Sequence, residues 1–286
     1  MHHLVKLIRP KQWLKNVLVF TAPVAAGSGS DLKTMLLALA AFACFSMVAS
    51  GLYAINDVRD AARDRLHPRK KSRPIASGAI SPIQGTVVGG VFLAVGLVTG
   101  LFVSVSTGLI LLVYCITTLA YSFGLKAVPI VELAIVASGF VLRAAVGGAA
   151  TDLPLTNWFL LVALFGSLFI VAGKRYAEVA ELGSAAVATR SSNEYYTKES
   201  LNQVLTIACT ATLVTYCIYA FDRAEISPRG NIYELTIAPF CIAILRYLSV
   251  LHKGGGGEPE SVFISDRWLQ ILGVAWAALF VIAAQG

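Results

Sequence analysis

The sequence predicts an all-α, polytopic membrane protein, a single integral-membrane domain over residues 1–286, and three observations carry that expectation. The chain is 57% hydrophobic and 14% charged, with mean hydropathy +0.73, far from the roughly 25% charged fraction of soluble domains. Nine apolar runs recur between short polar stretches, each near the ~20 residues that cross a hydrocarbon core of roughly 30 Å. Lys and Arg gather in alternate loops, which sets an orientation.

The runs cover about 13–27, 32–56, 82–103, 106–123, 128–150, 155–174, 200–221, 232–251 and 263–284. The first is short and contains Pro23, and its basic N-terminal flank is also a feature of signal peptides; it is read as a span. The second runs into the charged stretch "INDVRDAARDRLHPRKKSRPIASG", 55–78. The third and fourth are divided only by the weakly polar "SVSTG" at 104–108. The fifth holds Glu132 and Arg143, and the sixth ends at "GKRYAEVAELG". Before the ninth, "HKGGGGEPE" at 252–260 reads as a flexible loop. With the N terminus cytoplasmic and the C terminus outside, the outer side keeps only Lys33, Arg223 and Arg229, while Arg143 lies within a span and the other nineteen of 23 cations face inward. The net charge of +7 therefore describes loops against anionic lipid and not nucleic-acid binding, for which no motif is present. Cys44, Cys115, Cys209, Cys217 and Cys241 lie in apolar runs without CxxC spacing, so no disulfide or zinc site is expected.

Chemistry concentrates at the end of the second span. Continued as a helix at 100° per residue, it sets Asp57, Asp60 and Asp64 within an arc of about 60°, with Tyr53 on the same face and Asn56 at its edge. Close carboxylates raise one another's pKa unless a cation lies between them, and hard oxygen ligands completed by substrate phosphates suit Mg²⁺. A solvated helix whose acids pair with Arg59, Arg63 and Arg65 is the plainer alternative. Arg69, Lys70, Lys71 and Arg73 follow, a stretch that can hold phosphate oxygens by charge-assisted bonds or serve only as the positive-inside signal. Glu132 can line a cavity. Arg143, deep in the fifth span, either reaches a phosphate or ties helices together.

The residues "NDVRDAARD" after the second run, "RPKQWLKN" near the start and "YSFGLK" after the fourth are similar to the UbiA-type intramembrane prenyltransferase superfamily, over essentially the whole chain. That resemblance implies a helical bundle around a cavity open to the cytoplasm and to lipid, with Mg²⁺ held by Asn56, Asp57, Asp60 and Asp64 against a substrate diphosphate. One departure stands out: where a second acid-rich motif is usual, this chain has Lys174, Arg175 and Tyr176, with Glu178 and Glu181 the only acids. Together with "RPIASG" and "FGSLFIVAGKRYAE", that departure resembles a subgroup that moves phosphoribosyl from phosphoribosyl pyrophosphate (PRPP) onto polyprenyl (decaprenyl) phosphate, a step toward cell-wall arabinan precursors.

The resemblance implies catalytic roles for Asp57, Asp60 and Asp64. Lys15, Lys71, Arg73, Lys126, Lys174 and Arg175 become candidate phosphate holders, Tyr53, Tyr121 and Tyr176 candidate walls for the ribose, and Glu178 and Arg143 further substrate contacts; an interfacial belt position is the alternative for Tyr121. Attack by an anionic lipid phosphate needs no general base and inverts the anomeric centre. The protein is expected in the plasma membrane with its active-site loops cytoplasmic, and a homo-oligomer is compatible with the sequence. Prenyl transfer from a polyprenyl diphosphate to a small acceptor is the neighbouring reading. An ion-coupled transporter is a third, disfavoured because the acids lie at a helix end and not at the bilayer midplane.

Overall fold

The computed structural model describes residues 2–66, 70–182, 194–254 and 259–285, and every element among them is a helix. In chain order they are α1 (His2–Ile8), a 3₁₀ helix (Pro10–Phe20), α2 (Thr21–Ala25), α3 (Leu32–Leu66), α4 (Pro82–Val103), α5 (Val105–Phe123), α6 (Val131–Thr151), α7 (Asn157–Leu182), α8 (Lys198–Ile226), α9 (Gly230–Leu235), α10 (Ile237–His252), α11 (Pro259–Ser265) and α12 (Arg267–Ala284). Short 3₁₀ turns also occur at Lys70–Ser72 and Leu125–Ala127. Among the described residues, eight helical stretches are long and apolar enough to cross a membrane, α9 and α10 counting as one.

The expected count of nine differs by the first run. Residues 13–27 form no long α-helix: an 11-residue 3₁₀ helix is followed by the five residues of α2. The reason lies in its side chains. At three residues per turn, positions i and i+3 eclipse, so Trp13, Asn16 and Val19 fall on one line against α3. Trp13 donates its indole N–H to Ser50 Oγ at 3.0 Å, Asn16 donates to Ser46 Oγ at 2.9 Å, and Val19 is fully buried. Pro10 opens the segment and Pro23 lies in the first turn of α2, where a missing N–H leaves no intrahelical bond unmade.

By contacts the chain divides into two compact units. The first comprises residues 1–23, 30–122 and 142–154. In it α4 lies along α3 on a seam of small residues: a Cβ on Gly51 would meet the Gly89 carbonyl at 2.7 Å, and one on Gly96 the Cys44 carbonyl at 3.0 Å. Without a hydrophobic drive between helices in lipid, such close backbone approach supplies the packing energy. The outward stripe Val87, Val91, Val95, Val98 and Phe102 stays exposed, as a lipid-facing surface requires. Ser81 caps α4 in a capping box with Gln84.

The second unit comprises residues 24–29, 123–141 and 155–286. Phe169, Leu205, Tyr247, Leu251 and Leu269 form its middle; Leu133, Val171, Val179, Tyr196 and Leu201 pack toward the start of α8; and Tyr216, Tyr219, Tyr233 and Phe280 form an aromatic group toward the end of α8. Asp266 caps α12, accepting from the Trp268 and Leu269 N–H groups, and pairs with Arg246 at 2.9 Å. The Arg246 hydrogen bond, with the Leu269 N–H, holds the Asp266 carboxyl below its ordinary pKa.

Candidate active site

In the first unit α3 continues past its apolar part through the whole acid motif to Leu66. Asp57 and Asp64 are buried, whereas Asn56, Asp60 and Tyr53 are half-buried. The partners of the two buried acids come from other segments. Arg9, just after α1, donates to Asp57 Oδ1 and lies 5.1 Å from the centre of the Tyr53 ring. Arg73 bridges the pair, its Nη1 3.1 Å from Asp57 Oδ1 and 2.7 Å from Asp64 Oδ2. Arg65 turns to the Ala76 carbonyl instead, at 3.3 Å.

Local folding explains both arrivals. Arg9 adopts φ 52°, the left-handed region, between α1 and the 3₁₀ helix, a conformation that costs a non-glycine residue roughly 1–2 kcal/mol and needs outside support. Ile8 O accepts from Ser50 Oγ at 2.8 Å, which ties the peptide before Arg9 to α3. On the other side "RPIASG" closes a compact turn, with Arg73 N–H bonded to Lys70 O and Ile80 N–H to Pro74 O. Ile75 and Ile80 insert beside Leu7, Ala54 and Ala61, and Arg73 is thereby brought over the acids. Arg9 was not singled out by sequence reasoning beyond its place among the inner cations; its position at the head of "RPKQWLKN" was the available signal.

Three acids expected to converge on one ion do not do so by themselves. Among the described residues, no group of three His, Cys, Asp or Glu side chains is close enough to hold a metal, and Arg73 stands between Asp57 and Asp64. A guanidinium there relieves the repulsion of adjacent carboxylates. Asp57 nevertheless keeps one oxygen unused: Oδ2 is buried and has no hydrogen-bond partner. A buried, charged oxygen left unsatisfied costs about 1–3 kcal/mol or more. The donor set fits a divalent ion that takes one or two carboxylates from protein and completes its shell with water and phosphate oxygens, which is how Mg²⁺ is usually held.

The remaining sequence-predicted residues of this unit lie around that cluster or deeper. Lys15 is half-buried on the 3₁₀ helix, Lys71 is exposed, Tyr121 is half-buried in the last turn of α5, and Arg69 lies outside the described residues. Arg143 is buried in α6, donating to Asn16 Oδ1 at 2.9 Å and to the Tyr114 hydroxyl at 3.2 Å, with Phe45 and Tyr114 rings 4.8 and 5.2 Å from its guanidinium. These contacts join α3, α5, α6 and the 3₁₀ helix.

A separate charged cluster occupies the second unit. Arg175 of α7 is buried and donates in a fork to Glu132 of α6, at 2.8 and 3.3 Å, and from Nη1 to Glu178 at 2.9 Å. Glu132 is fully buried. Lys174, one residue earlier and so 100° around the helix, is exposed. Tyr176 is half-buried and meets the His252 ring edge-on at 5.6 Å, and Lys126 is half-buried in the turn before α6. The adjacent cations Lys174 and Arg175 thus have different surroundings, which their neighbouring positions in sequence did not reveal.

The model of the UbiA prenyltransferase family matches residues 16–269. The chain belongs to the UbiA prenyltransferase family. This UbiA member is 42% identical over 285 residues to the decaprenyl-phosphate phosphoribosyltransferase of Corynebacterium glutamicum, covering 98% of this chain and 86% of that protein. It is 44% identical over 278 residues to the decaprenyl-phosphate phosphoribosyltransferase of Mycobacterium tuberculosis, covering 96% of this chain and 91% of that protein. Its fold matches the solved UbiA homolog of Archaeoglobus fulgidus bound to DMAPP and Mg²⁺ with TM-score 0.75, at 18% identity over 98% of this chain and 97% of that one.

Proposed function

We propose that this UbiA member transfers the 5-phosphoribosyl group from PRPP to polyprenyl (decaprenyl) phosphate, with release of diphosphate, as a step toward cell-wall arabinan precursors. The observation that carries the reading is the 42–44% identity, over nearly the full length, to proteins named decaprenyl-phosphate phosphoribosyltransferase. The cluster in the first unit supports it chemically. Arg9 and Arg73, with side chains 23% and 26% exposed, are the guanidiniums able to exchange a carboxylate oxygen for a phosphate oxygen. Asp57 through Oδ2 would hold Mg²⁺ directly, with Asn56, Asp60 and Asp64 on the same helix proposed to reach the ion through its water shell, and the ion would supply positive charge for a departing diphosphate.

The C1–O bond to diphosphate breaks as an oxygen of the lipid phosphate bonds to C1 from the opposite face, so the anomeric configuration inverts. The acceptor is already an anion near neutral pH, as phosphate monoesters are, and no side chain is assigned as a base. Lys15 and Lys71 are proposed as further phosphate contacts and Tyr53 and Tyr121 as walls for the ribose; Lys126, Lys174 and Tyr176 are proposed for phosphate or ribose on the family resemblance alone. The protein is placed by this reading in the plasma membrane with Arg9, Asp57 and Arg73 at the cytoplasmic face. Labelled PRPP incubated with the purified protein and polyprenyl phosphate should put label into the lipid phase, and EDTA should stop it. Prenylation of an aromatic acid from polyprenyl diphosphate, with PRPP ignored, would transfer the assignment to the other branch of the family.

A further inference from the structure

The end of α8 and the start of α9 carry two buried donors that the proposed reaction does not use. Arg223 lies in the last turn of α8, its guanidinium carbon 5.8 Å from the centre of the Tyr233 ring. Its Nε is buried with no hydrogen-bond partner, and so is the hydroxyl of Tyr233, a residue only 1% exposed. Among the described residues Arg223 enters no ion pair. Two buried donor atoms without a partner therefore lie on side chains in contact, the half-buried Arg223 guanidinium over the Tyr233 ring.

That arrangement is built and not incidental. A Cβ on Gly230 would lie 2.2 Å from the Ala224 carbonyl, so only glycine lets the turn 227–229 fold this tightly onto α8. The Tyr233 ring is held edge-on by Phe280, centroids 5.9 Å apart, and its carbonyl accepts from Thr236 Oγ1 at 2.5 Å. Arg229 from the same turn donates to the Ile282 carbonyl at 2.9 Å. The nearby acids Asp222, Glu225 and Glu234 are exposed; on α8, positions 222 and 225 lie about 100° and 200° around the helix from Arg223.

The position along α8 identifies the ligand's chemistry. From Leu201, which packs beside Val179 and Tyr196, to Arg223 is 22 residues, about 33 Å of helix, close to one hydrocarbon thickness. Arg223 thus sits at the membrane boundary opposite the one near Leu201, at the depth of lipid phosphates, where Arg and Tyr anchor to headgroups. We propose that Arg223 and Tyr233 form a subsite for an anionic phosphate oxygen at that boundary, supplied by a lipid headgroup or by free phosphate.

The test uses the full chain in detergent, with phosphatidylglycerol, phosphatidylcholine and inorganic phosphate as probes, read by native mass spectrometry and by thermal midpoint. Wild type should retain phosphatidylglycerol over phosphatidylcholine, with retention about tenfold weaker in Arg223→Gln and about threefold weaker in Tyr233→Phe, the range for losing one hydrogen bond of ordinary net strength. Tyr233→Phe keeps the ring and its packing, so it carries the test if Arg223→Gln fails to fold. Loss of retained lipid on adding millimolar phosphate would name free phosphate as the occupant; persistence of the lipid would name the headgroup. Equal retention of the two lipids, or the same retention in all three chains, overturns the proposal and leaves a bridging water to satisfy the donors. Phosphoribosyl transfer, assayed in parallel, stands or falls separately.

Discussion

The two charged clusters of this chain look alike in sequence and differ in construction. Around Asp57 two guanidiniums meet two carboxylates, both arginines are about a quarter exposed, and one buried oxygen has no partner. Around Arg175 one guanidinium is clamped by two carboxylates, its side chain 4% exposed and that of Glu132 0%. The first has room to trade partners, because its cations reach solvent and its acid is under-used. The second is closed: freeing Arg175 for a phosphate means leaving Glu132 charged and buried, a penalty of several kcal/mol. The open cluster is the proposed binding site, and the closed one is built to hold helices together.

The sharpest way to break this contrast is Asp57→Asn. It keeps the shape and removes the charge, and should lower phosphoribosyl transfer about a thousandfold, the scale of losing a central electrostatic group, with the thermal midpoint close to wild type. In the closed cluster the loss should move to stability. Glu132→Gln is expected to destabilise the chain by about 3 kcal/mol, since it orphans a buried guanidinium, whereas Glu132→Gln with Arg175→Met should recover much of that; additive losses in the cycle would mean the pair is not coupled.

Lys174 and Arg175 sharpen the comparison within one helix turn. Lys174→Ala should raise the apparent KM for a phosphorylated substrate about three- to tenfold with an unchanged melting curve, while Arg175→Ala should act chiefly on the melting curve. The reverse pattern would make Arg175 the phosphate ligand. The smallest effect concerns Asp266. Its folded pKa is lowered by Arg246, so its contribution is present above the ordinary carboxylate pKa near ~4 and is lost as pH falls through the lower folded value. Wild type and Asp266→Asn should therefore differ slightly at neutral pH and converge in acid.

Span positions were legible because burial in lipid imposes length and composition on each run. The third run, 82–103, coincides with α4, the fourth differs from α5 by one residue, and the helix through Asp57, Asp60 and Asp64 continues as its periodicity indicates. The 3₁₀ segment was hidden because its pattern, Trp13, Asn16 and Val19, has period three and mixes polar with apolar residues. Pairings were hidden for a different reason. Arg9 and Asp57 are 48 positions apart, and Glu132 and Arg175 are 43 apart; local periodicity carries no information on such partners. The resemblance that makes Arg73 and Arg175 candidate phosphate holders did not reveal that both are engaged with carboxylates.

The open cluster at Asp57 is proposed to take a divalent ion together with substrate phosphate. Mn²⁺, visible by electron paramagnetic resonance and a common stand-in for Mg²⁺, can be titrated into wild type, Asp57→Asn and Glu132→Gln with and without PRPP. Bound Mn²⁺ that strengthens with PRPP, disappears in Asp57→Asn and persists in folded Glu132→Gln is the predicted result; equal Mn²⁺ binding by wild type and Asp57→Asn would contradict it.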